Sequence, residues 1–206
     1  MSLLSTINSP AELRNLSTSQ LPALAVEIRE RLIDITSKVG GHLASNLGVV
    51  ELTLALHYAF DTPNDKIIWD TGNQSYTHKL ITGRRDTFHT LRQFEGISGF
   101  CKREESEFDV FNAGHAGTGV SAGVGIAEAR GFLGQKYKVI TIVGDGALTA
   151  GMTYEGLNHA GMLQHNSIVI LNDNKMSISR NVGAISAYLN RTITGSFATW
   201  IKAEAK

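Results

Sequence analysis

The chain has 206 residues, 42% hydrophobic and 18% charged, a balance suited to one soluble globular domain with a full core. Lys plus Arg (19) equals Asp plus Glu (19), so no net field draws in nucleic acid or a membrane surface. A lone cysteine, Cys101, excludes an intrachain disulfide framework, no apolar run reaches the roughly 20 residues that span a bilayer, and the first residues lack a secretion signal; a cytoplasmic location is expected.

Residues 9–16 predict a short helix with Ser9 as N-cap and Pro10 in its first turn. Residues 19–38 predict a longer amphipathic helix, because Leu21, Leu24, Ile28, Leu32 and Ile35 recur at helical spacing. A glycine-framed loop, Gly40-Gly41-His42 through Gly48, then precedes a helix over 49–60. His42 in such a loop is either a structural residue or a ring presented to a ligand, and the framing favours the second. Residues 65–72 predict a buried strand ending in Asp70 and Gly72. Residues 73–80 predict a helix opening at that strand end, whose first-turn N–H groups suit an anion. Gly83-Arg84-Arg85-Asp86 is a basic turn, either solvated or set against a phosphate. Residues 88–107 lack a period and predict a surface excursion.

Residues 108–114 predict a short strand running into His115-Ala116-Gly117-Thr118-Gly119 and a small-residue helix over 120–132. Glycines here serve either tight packing or a phosphate, and the histidine at the strand end favours a ligand. The runs Val139–Val143 and Ile168–Leu171 read as strands buried on both faces of a parallel sheet. The first ends in Gly144-Asp145-Gly146 and the second in Asn172-Asp173-Asn174. In open α/β sheets ligands bind at the carboxyl ends of strands. Hard oxygen donors such as Asp145 and Asn174 suit Mg²⁺ shared with a ligand's phosphates. Glu155 and His159, at i and i+4 on a helix over 149–161, read as a surface pair before a metal pair. The alternation of strands and helices predicts an α/β fold, doubly wound, with a mostly parallel sheet and helices on both faces.

Gly144-Asp145-Gly146, with an asparagine-bearing strand end slightly under thirty residues further on, fits the thiamine-diphosphate motif. The segments 41–48, 50–57, 78–86, 144–152, 158–161 and 170–179 together resemble 1-deoxy-D-xylulose-5-phosphate synthase, a transketolase relative, over about 13–195. The resemblance implies a transferase that condenses pyruvate with D-glyceraldehyde 3-phosphate, with loss of CO₂. That reaction opens the non-mevalonate isoprenoid route and supplies thiamine and pyridoxal precursors. It further implies Asp145, Asn174 and the Met176 carbonyl as Mg²⁺ ligands. Gly146 and Ala147 would meet the diphosphate, Gly114, His115 and Ala116 would form a second cofactor contact, and His42 would stand at the reacting end. Asn73 replaces a histidine that the family carries in Gly-His-Gln, and Ala116 replaces a serine; the first loses a proton carrier, the second a hydroxyl donor. The family's pyrimidine-binding and carboxy-terminal domains have no counterpart in these residues. The expectation is one diphosphate- and Mg²⁺-binding domain over 1–206, inactive alone, within a homodimer or alongside a separate chain. The rival readings are another thiamine-dependent ketol transferase and a non-catalytic module that keeps the fold.

Overall fold

A computed structural model describes residues 2–163, 166–173 and 184. Among these, β1 (Lys66–Trp69), β2 (Val139–Gly144) and β3 (Ile168–Asn172) form a parallel sheet in the order β1-β2-β3. Trp69 stands opposite Ile142 and Gly144 opposite Asn172, so the carboxyl ends of all three strands share one edge. The strand period of two sorts the side chains into layers. Ile67, Trp69, Ile140 and Ile142 meet Leu56 and Cys101 on one face. On the other, Ile68 and Val139 meet Ala127, and Val143 meets Val120, Val124 and Leu148. Both faces of β1 and β2 are covered, which is why these segments read as unbroken apolar runs. Each fully buried Ile or Trp there contributes roughly 1.5–3 kcal/mol of transfer free energy or more.

The expected doubly wound α/β architecture is therefore present, with one correction. β3 is not buried on both faces: Ile168 and Val169 are 36% and 39% exposed. It is the outer strand among the described residues, and none of these forms a further strand beyond it.

One helical layer precedes β1. α1 (Pro10–Arg14) opens with the Glu12 carboxylate accepting the Asn8 and Ser9 N–H groups at 2.6 and 2.8 Å. α2 (Leu21–Val39) has Pro22 in its first turn and stops at Gly40, whose φ of 76° no helix continues. Its predicted stripe faces inward: Leu24, Ile28, Leu32 and Ile35 are buried against Val50 and Leu54 of α4 (Val50–Ala59), with Leu21 at the margin. α3 (Leu43–Leu47) fills the glycine-framed loop between them.

α6 (Gly119–Phe132), α7 (Asp145–Leu148) and α8 (Gly151–Leu163) cover the other face. Two small residues there serve packing alone. A Cβ on Gly123 would lie 2.3 Å from the Thr141 hydroxyl of β2, and one on Gly156 would lie 2.9 Å from the Ser121 hydroxyl of α6. Glu155 and His159 are exposed on α8, as a surface pair should be.

The stretch between β1 and α6 departs most from expectation. Residues 108–114 form no strand; Asp109 is buried as an acceptor for side chains, and the one ladder-like bond runs from Ala113 N–H to the Cys101 carbonyl. The 88–107 segment is only partly superficial, because Phe88, Leu91 and Cys101 are buried. The basic turn at 83–86 is solvated at Gly83 and Asp86, while its two arginines are engaged within the protein. Arg84 is buried on Asp109, and the Arg85 guanidinium donates to the carbonyls of Leu4, Ser5 and Ile7 at 2.8–2.9 Å.

Candidate functional site at the carboxyl edge of the sheet

β1 ends at Asp70, whose N–H still donates to the Ile142 carbonyl and so ties the exit of β1 to β2. The Asp70 carboxylate is buried and turns away from solvent to accept the N–H groups of Gly117 and Gly119, both at 2.8 Å. Gly119 permits this approach: a Cβ there would sit 2.9 Å from Asp70 Cα, Cβ and Oδ2. Gly117, at φ 86°, backs onto Ala150, where a Cβ would lie 2.5 Å from the alanine's own. The clamp thereby fixes Gly114, His115 and Ala116 between the end of β1 and the α7–α8 junction. His115 and Ala116 are exposed, and the Gly114 position faces open space. Asp70 itself carried no predicted role. An aspartate before a glycine at a strand end was visible, but its partners lie 47 and 49 residues away.

The next turn holds Asn73, half-buried. α5 (Tyr76–Lys79) begins three residues later than expected, and the Tyr76 N–H is taken by Asn46 Oδ1 at 2.8 Å rather than left for an anion. Asn46 Nδ2 also donates to the carbonyls of His42 and Asn73, at 2.6 and 2.7 Å, so the His42 loop and the Asn73 turn are adjacent. The His42 ring is half-buried between Phe100 and Tyr76, with centroids 5.6 and 6.4 Å away. Burial first, then the Arg92 charge, lowers its pKa, so it is neutral at pH 7. Gln74 Oε1 is a buried acceptor with no partner among the described residues.

β2 leads straight into α7 through Gly144-Asp145-Gly146. Pairing of Gly144 with Asn172 sets Asp145 beside the Asn172-Asp173 end of β3. Gly144 opens onto free space, Gly146 is half-buried, and Ala147 is buried in the α6–α7 layer. The described residues thus gather Asn73, Gly114, His115, Ala116, Asp145, Gly146 and Ala147 at one edge, with His42 reached through Asn46. Asn174 and Met176 lie outside the described residues.

A second polar cluster was not foreseen, and it lies in the interior. Thr62, His57, His78 and Asp109 form a chain of 2.8 Å contacts. A carboxylate only accepts, so His78 Nε2–H donates to Asp109. His78 Nδ1 then accepts from His57 Nε2–H, and His57 Nδ1 from the Thr62 hydroxyl. Arg84 grips both Asp109 oxygens at 2.6 and 2.9 Å, and Lys79 donates to Glu105 at 2.7 Å. Burial above all, with the Arg14 and Arg84 charges, holds His57 well below the usual histidine range. Burial also lowers His78, and its bond to Asp109 offsets this only in part. Burial pushes Asp109 upward, but the His78 and Arg84 donors outweigh it and keep the carboxyl ionised. Lys79 and Arg84 therefore balance Glu105 and Asp109, with both histidines neutral. His78, Cys101 and Asp109 also present ligand atoms within 4.8 Å of one another. A divalent cation does not fit there: Arg84 already occupies Asp109, and burial pushes the Cys101 thiol up to about 12. Buried and raised in this way, the Cys101 thiol is a poor nucleophile.

Fold and edge define the class first: a doubly wound α/β protein whose candidate ligand site lies at the carboxyl ends of parallel strands. Within that class, the chain belongs to the 1-deoxy-D-xylulose-5-phosphate synthase family, whose family model matches residues 4–206. Proteins named 1-deoxy-D-xylulose-5-phosphate synthase are similar to it throughout. That of Dictyoglomus thermophilum is 62% identical over 91% of the chain, and that of Syntrophomonas wolfei 60% over 93%. Synthase 1 of Geobacter sulfurreducens is 56% identical over 99%. The chain spans about a third of these relatives' length: 30%, 30% and 32% respectively. No helix among the described residues is long and apolar enough to cross a membrane.

Proposed function

We propose that this chain is the diphosphate- and Mg²⁺-binding part of a 1-deoxy-D-xylulose-5-phosphate synthase, acting on pyruvate and D-glyceraldehyde 3-phosphate. The observation that carries the reading is the shared strand edge, where Gly144-Asp145-Gly146, Asn172-Asp173 and the clamped Gly114-His115-Ala116 turn stand together. Three features there fit thiamine diphosphate with Mg²⁺. Asp145 and the Asn172-Asp173 strand end supply hard oxygen donors, Gly114 and Gly144 leave open space, and Gln74 Oε1 is a buried acceptor awaiting a donor. Asp145, with Asn174 and the Met176 carbonyl, would hold the metal; Gly146 and Ala147 N–H groups would meet the diphosphate; Asn73 and the Gly114–Ala116 turn would flank it. When bound, the cofactor supplies the electron sink for loss of CO₂. His42, neutral at pH 7 with Nδ1 3.5 Å from the Tyr76 hydroxyl, is suited to take and return a proton during carbon–carbon bond formation. The pyrimidine-binding residues would come from polypeptide beyond these 206 residues, on the same or a separate chain, and the assembly would be a homodimer.

Calorimetric titration with thiamine diphosphate tests the reading. Mg²⁺-dependent heat is expected, lost on Asp145→Asn; no heat with Mg²⁺ present, with or without a candidate partner chain, would sink it. Asn73 and Ala116 favour a second reading, a ketol transferase of different donor or acceptor. It predicts that the complete assembly turns over without consuming pyruvate. A non-catalytic module predicts binding without turnover of any donor, even after Asn73→His.

A further inference from the structure

We propose that Asn46 is the positioning residue that sets His42 against the Asn73 turn; its link to catalysis rests on the reading of His42 given above. Asn46 is fully buried in α3 and spends both amide N–H groups and one Oδ1 lone pair on three backbone groups. One Nδ2 hydrogen goes to the His42 carbonyl at 2.6 Å, the other to the Asn73 carbonyl at 2.7 Å, and Oδ1 accepts the Tyr76 N–H at 2.8 Å. The opposite amide orientation would aim Oδ1 at two carbonyl oxygens and Nδ2 at an N–H, so the surroundings admit only one. Tyr76 closes the circuit: its hydroxyl accepts the His42 N–H at 3.2 Å and lies 3.5 Å from His42 Nδ1. Asn46, His42 and Tyr76 thus form a closed ring of hydrogen bonds, with the Asn73 turn attached through the fourth bond. The Ser45 hydroxyl, at 3.2 Å, gives the His42 carbonyl a longer second donor. Gly41 lets the loop come this close, since a Cβ there would sit 2.8 Å from the Tyr76 hydroxyl. Removing the amide donors would take this donor from the part-buried Asn73 carbonyl and release the His42 loop from the turn.

The test is the variant Asn46→Asp, of the same shape but without donors at neutral pH. Histidine titrations by NMR and cofactor affinity by calorimetry are measured on the whole chain. His42's midpoint should rise toward the ordinary histidine value of about 6.5. The amide resonances of Asn73 and Tyr76 should move, and affinity for thiamine diphosphate with Mg²⁺ should fall about tenfold. A role confined to stability would lower the melting temperature and leave the cofactor affinity where it is; because the introduced carboxylate by itself raises a neighbouring histidine, the His42 midpoint is decided on Tyr76→Phe, which adds no charge. Tyr76→Phe opens the same ring from its other side and decides the matter if Asn46→Asp does not fold. A folded variant with unchanged His42 midpoint and Asn73 resonance overturns the proposal. Failure of the unmodified chain to bind the cofactor would count against the functional reading alone, because the histidine titration needs no ligand.

Discussion

Replacing Asp109 by asparagine removes the anion that balances a buried cation. In the native chain Asp109 accepts from both Arg84 nitrogens at 2.6 and 2.9 Å, from His78 at 2.8 Å and from the Lys102 N–H at 2.8 Å, all out of water. After the change, Lys79 and Arg84 face Glu105 alone, at 2.7 and 3.7 Å, and the interior holds one uncompensated positive charge. Breaking one partner out of a buried ion pair costs about 3–5 kcal/mol. At roughly 2–4 °C per kcal/mol for a domain of this size, the melting temperature should drop by about 6–20 °C. Urea unfolding at pH 7.5, followed by circular dichroism, measures the loss. Asp34→Asn, which breaks an exposed pair with Lys38, should leave the midpoint within error. The double variant Asp109→Asn with Arg84→Met should lose less than the two single losses added together, because the stranded charge is gone. A loss under about 1 kcal/mol for Asp109→Asn, with unchanged denaturant slope, would refute the assignment of Asp109 as the counterion.

Acid should weaken the fold in two stages. His57 and His78 titrate lower in the folded than in the unfolded chain, so their contribution is complete above about pH 6.5 and is lost as pH falls below it, at up to about 2.7 kcal/mol per pH unit for two protons. Asp109 is likewise depressed, so its share persists until pH falls below about 3.8; denaturation midpoints from pH 8 to 4 that do not fall would contradict both histidine directions. Gly119→Ala should cost roughly 1–3 kcal/mol by forcing a methyl against Asp70, and amide exchange should show Gly117 and Gly119 losing protection together. Ala116→Ser should strengthen cofactor binding by roughly 2- to 13-fold if the exposed turn faces the diphosphate, read by calorimetry. Cys101 should resist iodoacetamide at pH 8 in the folded chain and react once urea unfolds it.

Local chemistry was enough to place most regular elements. The 3.6-residue recurrence of Leu24, Ile28, Leu32 and Ile35 set α2, and the apolar runs at 66–69 and 139–143 set the two covered strands, because burial on each face demands those side chains. Gly144-Asp145-Gly146 and the glycine turn at 114–119 were legible as strand ends for the same reason: a strand that must stop and release its backbone to something does so at small and oxygen-bearing residues. What failed was whatever depends on a partner distant in the chain. Residues 108–114 have the composition of a strand, yet Asp109 is drawn inward by Arg84 and His78, and the segment gives up a ladder for that network. Arg84, legible only as part of a basic turn that was either solvated or set against a phosphate, is a buried cation held by Asp109.

The sequence by itself determined the α/β class, the covered strands and the glycine-rich turns at their carboxyl ends, because periodicity and turn chemistry act over a few neighbours. Only the tertiary structure decided how that edge is held. Asp70 reaches Gly117 and Gly119, and Asn46 joins His42, Asn73 and Tyr76, through single hydrogen bonds between segments far apart in the chain. No local rule encodes such bonds. They exist because the packed sheet and helices bring buried donors and acceptors together, and an unpaired one would cost more than the bond requires.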